Sequence, residues 1–262
     1  MSWLLASEAG LNDPFVVPPV NELFEFPALL LENTPFAINR TVIIMLFATL
    51  LVIVFMVSLF PGKVVPGKLQ SIGETVVDFV QDQIAYQVMG DAGRPFVPFL
   101  MTVFLFVYAS NLFEIIPFVN FPPTSRMAYP AMVTIIIYVL FIFVGIKHHG
   151  LKYFKEVAFP PGVPVFLYIL VTPIEIVSTF IVRPLTLAVR LFANMLAGHI
   201  ILTIIFLTIH AFLFSGAGTP IGLVALVASP LLVGFEGVVG LLQAYIITIL
   251  AAVYLDSSIN TH

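Results

Sequence analysis

The chain is patterned in apolar blocks much longer than those of a water-soluble protein. Positions 41–60 hold no charged residue, and about twenty apolar residues is the length of helix that ~30 Å of hydrocarbon requires. Pro61-Gly62 ends the run, with Lys63 and Lys68 beyond it, so a first membrane span is predicted over 41–60. Residues 69–89 obey a different rule. Leu69, Ile72, Val76, Val80, Ile84 and Val88 recur three or four apart, with Glu74, Asp78, Gln81 and Asp82 between them. That period belongs to an amphipathic helix. No soluble helix stands nearby to pack on it, so it is expected to lie flat in the membrane interface. Gly90-Asp91-Ala92-Gly93-Arg94-Pro95 breaks it, and the apolar runs 96–116 and 128–146 then predict a hairpin of two spans.

The last third carries the least ordinary pattern. Apolar residues continue from 163 to 214, interrupted by Glu175, Arg183, Arg190, His199 and His210. A single helix of that length is roughly 75 Å long, more than twice the ~30 Å hydrocarbon thickness. Two spans hinged near Arg183-Pro184 are one solution; a single strongly tilted helix, kinked or straight at Pro184, is the other. No Gly or Asn turn signal stands between Glu175 and Asn194, which favours the tilted helix. Residues 221–255 are also over-long for an upright span and contain Glu236. Two over-length helices with internal charge suggest a pair running along each other. The fold class expected is therefore an all-α integral membrane protein: five membrane helices plus one interfacial amphipathic helix, the last two membrane helices long and tilted. The whole chain, 1–262, forms one membrane domain, led by an acidic, proline-punctuated arm over 1–40 that rests outside the membrane.

Composition agrees, with 60% hydrophobic and only 9% charged residues, against about a quarter charged in soluble domains. A net charge of −4 and no basic cluster argue against nucleic acid, and the lack of cysteine removes disulfides, thiolate metal sites and cysteine nucleophiles. No phosphate-binding glycine loop or H-E-x-x-H spacing occurs, so neither direct nucleotide binding, a cofactor nor a metal is expected, and His148-His149 reads as a solvated boundary. The acidic start of the chain argues against a secretory signal. Lys63 and Lys68 follow the first span and Lys147, Lys152 and Lys155 the third, while the N-terminal arm has one basic residue, Arg40, against five acids. Basic loops stay inside, which predicts an outside N-terminus and an inside C-terminus, Arg126 being a minor exception.

An arginine within a membrane helix costs several kcal/mol and persists only beside a partner, water or an acid. Arg190 lies seven residues from Arg183 and four from Asn194, near one helix face; alternatively Arg183-Pro184-Leu185-Thr186-Leu187-Ala188-Val189-Arg190 is a loop between ordinary spans. Arg183 is nearer the helix end and suits a snorkelling anchor. His199 is nine positions beyond Arg190, which at ~100° per residue puts it on the opposite face, toward the neighbouring helix. There Glu236 and Gln243 share a stripe, with Gly234, Gly237 and Gly240 allowing close helix approach. A His–Glu pair suits a proton relay, or a static buried ion pair. Glu114 stands at the end of the second span as a polar entrance or an interfacial cap. Glu175 and Ser178 stand toward the other end of the long helix, as an exit or a cap.

The run Arg190-Leu191-Phe192-Ala193-Asn194-Met195-Leu196-Ala197-Gly198-His199, preceded by Arg183-Pro184-Leu185-Thr186-Leu187, closely resembles the signature of subunit a of bacterial F-type ATP synthases. The segment with Glu236, Gln243-Ala244 and Val253-Tyr254-Leu255 is similar to that family's last helix. Asn111-Leu112-Phe113-Glu114-Ile115-Ile116-Pro117 and Pro122-Pro123-Thr124 resemble its hairpin, so the resemblance covers nearly the whole chain. It implies a proton-translocating stator subunit in the bacterial plasma membrane, with two offset half-channels and no catalytic site of its own. Arg190 is then the essential arginine facing the c-subunit ring, with Asn194 and Gln243 beside it. His199, Glu236 and Glu114 belong to the outer half-channel, and Glu175 and Ser178 to the inner one. The implied partners are the c-ring, b-type peripheral stalk subunits, the rest of the complex and the lipid bilayer. The competing reading is a stand-alone proton-coupled secondary transporter, although such folds usually show internal repeats and none is visible. An intramembrane hydrolase is excluded because Ser178 and His199 are 21 residues apart on one helix, about 30 Å.

Overall fold

The computed structural model describes residues 39–59, 67–116, 126–150, 152–159, 164–214 and 218–260. The expected outer arm, apart from its last two residues, and the proline-rich turn over 117–125 lie outside the described residues. Helix α1 spans Arg40–Leu59. It starts where the Asn39 side chain accepts the Val42 N–H at 3.1 Å, satisfying one of the donors a helix start leaves open. Helix α2, Lys68–Val80, continues through a wider π turn, Gln81–Tyr86, and a last turn, Gln87–Met89. Gly90 stops it with φ 57°, in the left-handed region that only glycine enters freely. Three residues on, a Cβ at Gly93 would sit 2.8 Å from the Ala85 carbonyl oxygen, so the chain folds back tightly onto the helix it has just left.

Helix α3 spans Val97–Ile115 and α4 Ala128–His149. Gly150, with φ 63°, ends α4, and the short helix α5, Lys152–Ala158, folds back on it. A side chain at Gly145 would strike the Tyr153 ring at 2.5 Å; its absence is what lets α5 lie so close.

The 163–214 stretch resolves into one continuous helical rod among the described residues, 45 residues from Tyr168 to Phe212. It comprises α6 (Tyr168–Val177), a π turn (Ser178–Val182) and α7 (Arg183–Phe212). The π turn sits immediately before Pro184, whose missing N–H and bulky ring conflict with the Phe180 carbonyl four residues back. Widening the turn relieves that conflict without breaking the rod. Helix α8, Thr219–Ile259, has 41 residues, about 60 Å. It packs along α7, α3 and α4, and α4 also meets α7. Five helices are long and apolar enough to cross a membrane. Apolar side chains such as Val57, Leu231 and Phe235, 73%, 75% and 62% exposed, point where hydrocarbon replaces water.

Candidate functional site

Arg190 sits at the middle of the 45-residue rod and is exposed on the surface of the chain. Val182, Leu185 and Val189 are exposed on the same side, so the guanidinium stands in an otherwise apolar face. His199 is buried, as the helical phase requires of a position on the opposite side of the rod.

The buried face of α7 meets α8 at Glu236. A Cβ at Gly198 would overlap the Glu236 carboxyl, so the acid rests directly against the α7 backbone one residue before His199. Glu114, contributed by α3, is 1% exposed and close enough to Glu236 for their charges to interact. Arg40, at the start of α1, acts electrostatically on His199. Four helices therefore contribute an ionisable group to one junction. Glu114 differs from the sequence expectation in being packed inside this junction rather than standing at an open mouth. Both its carboxyl oxygens, and Glu236 Oε1, find no hydrogen-bond partner among the described residues.

The amides continue the line. Gln243 is buried, seven residues along α8 from Glu236, and Asn194 is half-buried four residues from Arg190 on α7. Gln243 Nε2 and Asn194 Nδ2 are both buried without a hydrogen-bond partner. Of the three glycines on α8, Gly237 and Gly240 face α3, meeting Ile115 and Asn111, and Asn111 Nδ2 donates to the Gly240 carbonyl at 3.1 Å. Gly234 has open space around it and brings no helix close. Glu175 and Ser178 are half-buried on α6 and the π turn. They lie 15 and 12 residues before Arg190, about 22 and 18 Å along the rod, whereas His199 lies ~14 Å beyond it. The polar residues thus form two groups on either side of Arg190 along the rod, not one cluster. No group of three metal-capable side chains occurs among the described residues.

Arg183 is not a free snorkelling anchor. Its guanidinium donates to Ser257 Oγ at 3.4 Å and lies 5.7 Å from the Tyr254 ring centroid, tying α7 to the end of α8. Sequence reasoning also left Gly198 and Arg40 without a role. The signal for Gly198 was present: a small residue beside a buried histidine, on a helix whose neighbour carries a buried acid.

These features define a multi-pass, all-helical membrane protein with ionisable side chains packed among its transmembrane helices. Residues 41–256 match the family described as ATP synthase A chain. Among curated proteins, the chain is 39% identical to an ATP synthase subunit a of Rhodococcus erythropolis, over 95% of this chain and 92% of that protein. It is 40% identical to one of Frankia alni, over 93% and 89% respectively, and 37% identical to one of Gluconacetobacter diazotrophicus, over 84% and 88%. The chain belongs to the ATP synthase A chain family.

Proposed function

We propose that the chain is the proton-translocating stator subunit of a bacterial ATP synthase, with two half-channels that end on either side of Arg190. The observation that carries this reading is the contrast within one rod: Arg190 exposed at its midpoint, ionisable residues buried beyond it and Glu175 with Ser178 before it. A guanidinium stays protonated, and one held at mid-membrane on an apolar face calls for an acid on a neighbouring protein. A ring of c subunits carrying carboxyl groups supplies that acid. Arg190 draws each ring carboxyl into its charged form as it passes and bars protons from crossing directly between the half-channels.

Protons enter by Glu114, His199 and Glu236, which form a path of exchangeable groups. Asn194 and Gln243 lie between that path and Arg190, with donors free to hold water or the ring carboxylate. Glu175 and Ser178 line the way out. Basic residues after the first and third spans support an outside N-terminus and a cytoplasmic C-terminus. The b-type stalk holds the subunit against rotation, and ATP is made elsewhere in the complex. Arg190→Ala is expected to abolish proton-coupled ATP synthesis in membranes while ATP hydrolysis by the detached soluble part persists. Unimpaired coupled synthesis in that variant rules the reading out.

A further inference from the structure

An apolar groove of about 510 Å³ lies on the far side of α3 from its contact with α7 and α8's Glu236, between α1, α2 and α3. Leu51 and Phe55 of α1, Ile72 and Phe79 of α2, Tyr108 of α3 and Leu241 of α8 line it. Its wall presents no open polar group, since the Thr75 hydroxyl donates to the Ser71 carbonyl at 2.9 Å. Leu51 and Ile72 remain 42% and 55% exposed, so the groove opens sideways into the surrounding hydrocarbon.

Size decides what fills it. Two turns of helix, ~10 Å across with side chains and ~11 Å long, occupy roughly 850 Å³, too much for this space. A methylene fills about the ~30 Å³ share of a water molecule, so a chain of about sixteen carbons, ~480 Å³, fits it. Charge then selects the head group. Lys68 is exposed and one turn before Ile72 on the same face of α2, which puts an ammonium at the groove's end. It also lies just past the end of α1 at Leu59, where a membrane-spanning helix meets the interface. Glu74, the nearest acid along α2, is turned to another face and accepts from Gln70 at 2.9 Å.

We infer that this groove is a binding site for an anionic phospholipid, one acyl chain held between α1, α2 and α3 and its phosphate paired with Lys68. The lipid completes the packing of a helix, α1, that this chain alone leaves largely uncovered, and so steadies the α1 face that meets Phe113 beside Glu114.

The test uses the assembled complex in its native membrane, with a photoreactive diazirine amino acid in place of Phe79. A second complex carries the same group in place of Val57, which is 73% exposed on α1 and samples bulk lipid. Mass spectrometry of the adducts is expected to show phospholipid at position 79, with anionic head groups enriched about threefold over position 57. Lys68→Gln, a surface change, is expected to bring the two positions to parity. Ala109→Phe, which fills the groove, is expected to lower lipid adducts at 79 about fivefold and leave those at 57 unchanged. A polypeptide adduct at 79 means that a partner helix covers the groove. Lipid of the same composition at both positions means bulk hydrocarbon only, and no adduct at 79 means an empty groove. Each of these three results overturns the inference.

Discussion

Two polar clusters hold the α7–α8 pair, and they are built in opposite ways. At one end Arg183 is engaged by Ser257 and the Tyr254 ring, Ser257 in turn donates to the Tyr254 carbonyl at 2.8 Å, and His149 Nε2 meets the Ile259 carbonyl at 2.9 Å. These groups are spoken for. At the other, around Glu236, carboxyl oxygens of Glu114 and Glu236 and the amides of Gln243 and Asn194 are buried with bonding capacity unused. Buried polar groups are nearly always paired, and each exception costs on the order of 1–3 kcal/mol. The saturated cluster reads as a fastening, and the unsaturated one as a place kept ready for protons or water.

Mutations that separate holding from conducting test this contrast. The largest effect is expected for Glu236→Ala, which removes the acid at the centre of the junction. ATP-driven acidification of membrane vesicles should fall by about a hundredfold, some 2.7 kcal/mol in rate terms, with assembly of the complex retained. Gly198→Ala should follow. Its methyl overlaps the far end of the Glu236 side chain, which can swing aside, so pumping should drop roughly tenfold while the melting temperature hardly moves. Adding Glu236→Asp, shorter by one methylene, should restore part of the loss; no restoration would mean that the contact does not set the carboxyl's position. Exchanging His199 and Glu236 should cost less than the sum of the two alanine changes, and strict additivity of the measured pumping rates would argue against direct coupling.

The smallest effect on pumping is expected for Arg183→Ala. It gives up a long charged hydrogen bond and a ring contact, about 1–2 kcal/mol of stability, seen as a lower melting temperature of the purified full chain, with pumping reduced less than about twofold. Should Arg183→Ala stop proton flow as completely as Glu236→Ala, the division between fastening and conducting clusters fails.

Much of this was legible in the residue pattern. The spans follow from apolar run length, because in hydrocarbon every backbone group must be satisfied within its own segment. The opposition of Arg190 and His199 follows from nine residues of helical phase, and the Glu236–Gln243 stripe from seven. Those relations are local to one helix. By contrast, the burial of Glu114 beside Glu236 joins positions 122 residues apart, and periodicity within α3 or α8 holds no information about which face of one meets the other. The three α8 glycines show the limit well: their spacing signals close approach, yet two serve α3 and the third serves nothing within 4 Å. Similarly, Arg183 looks like a lone anchor until the end of α8 is brought over it.

The chain's own sequence thus determined that it lives in a membrane, where its helices run, and which side of each helix carries charge, since run length and helical phase are properties of a single segment. The tertiary structure alone decided which charges meet, which stay unsatisfied, and where a lipid-sized groove remains. Those outcomes depend on crossing angles and on single small residues such as Gly198 that admit a neighbour's side chain. No pattern along one helix encodes them.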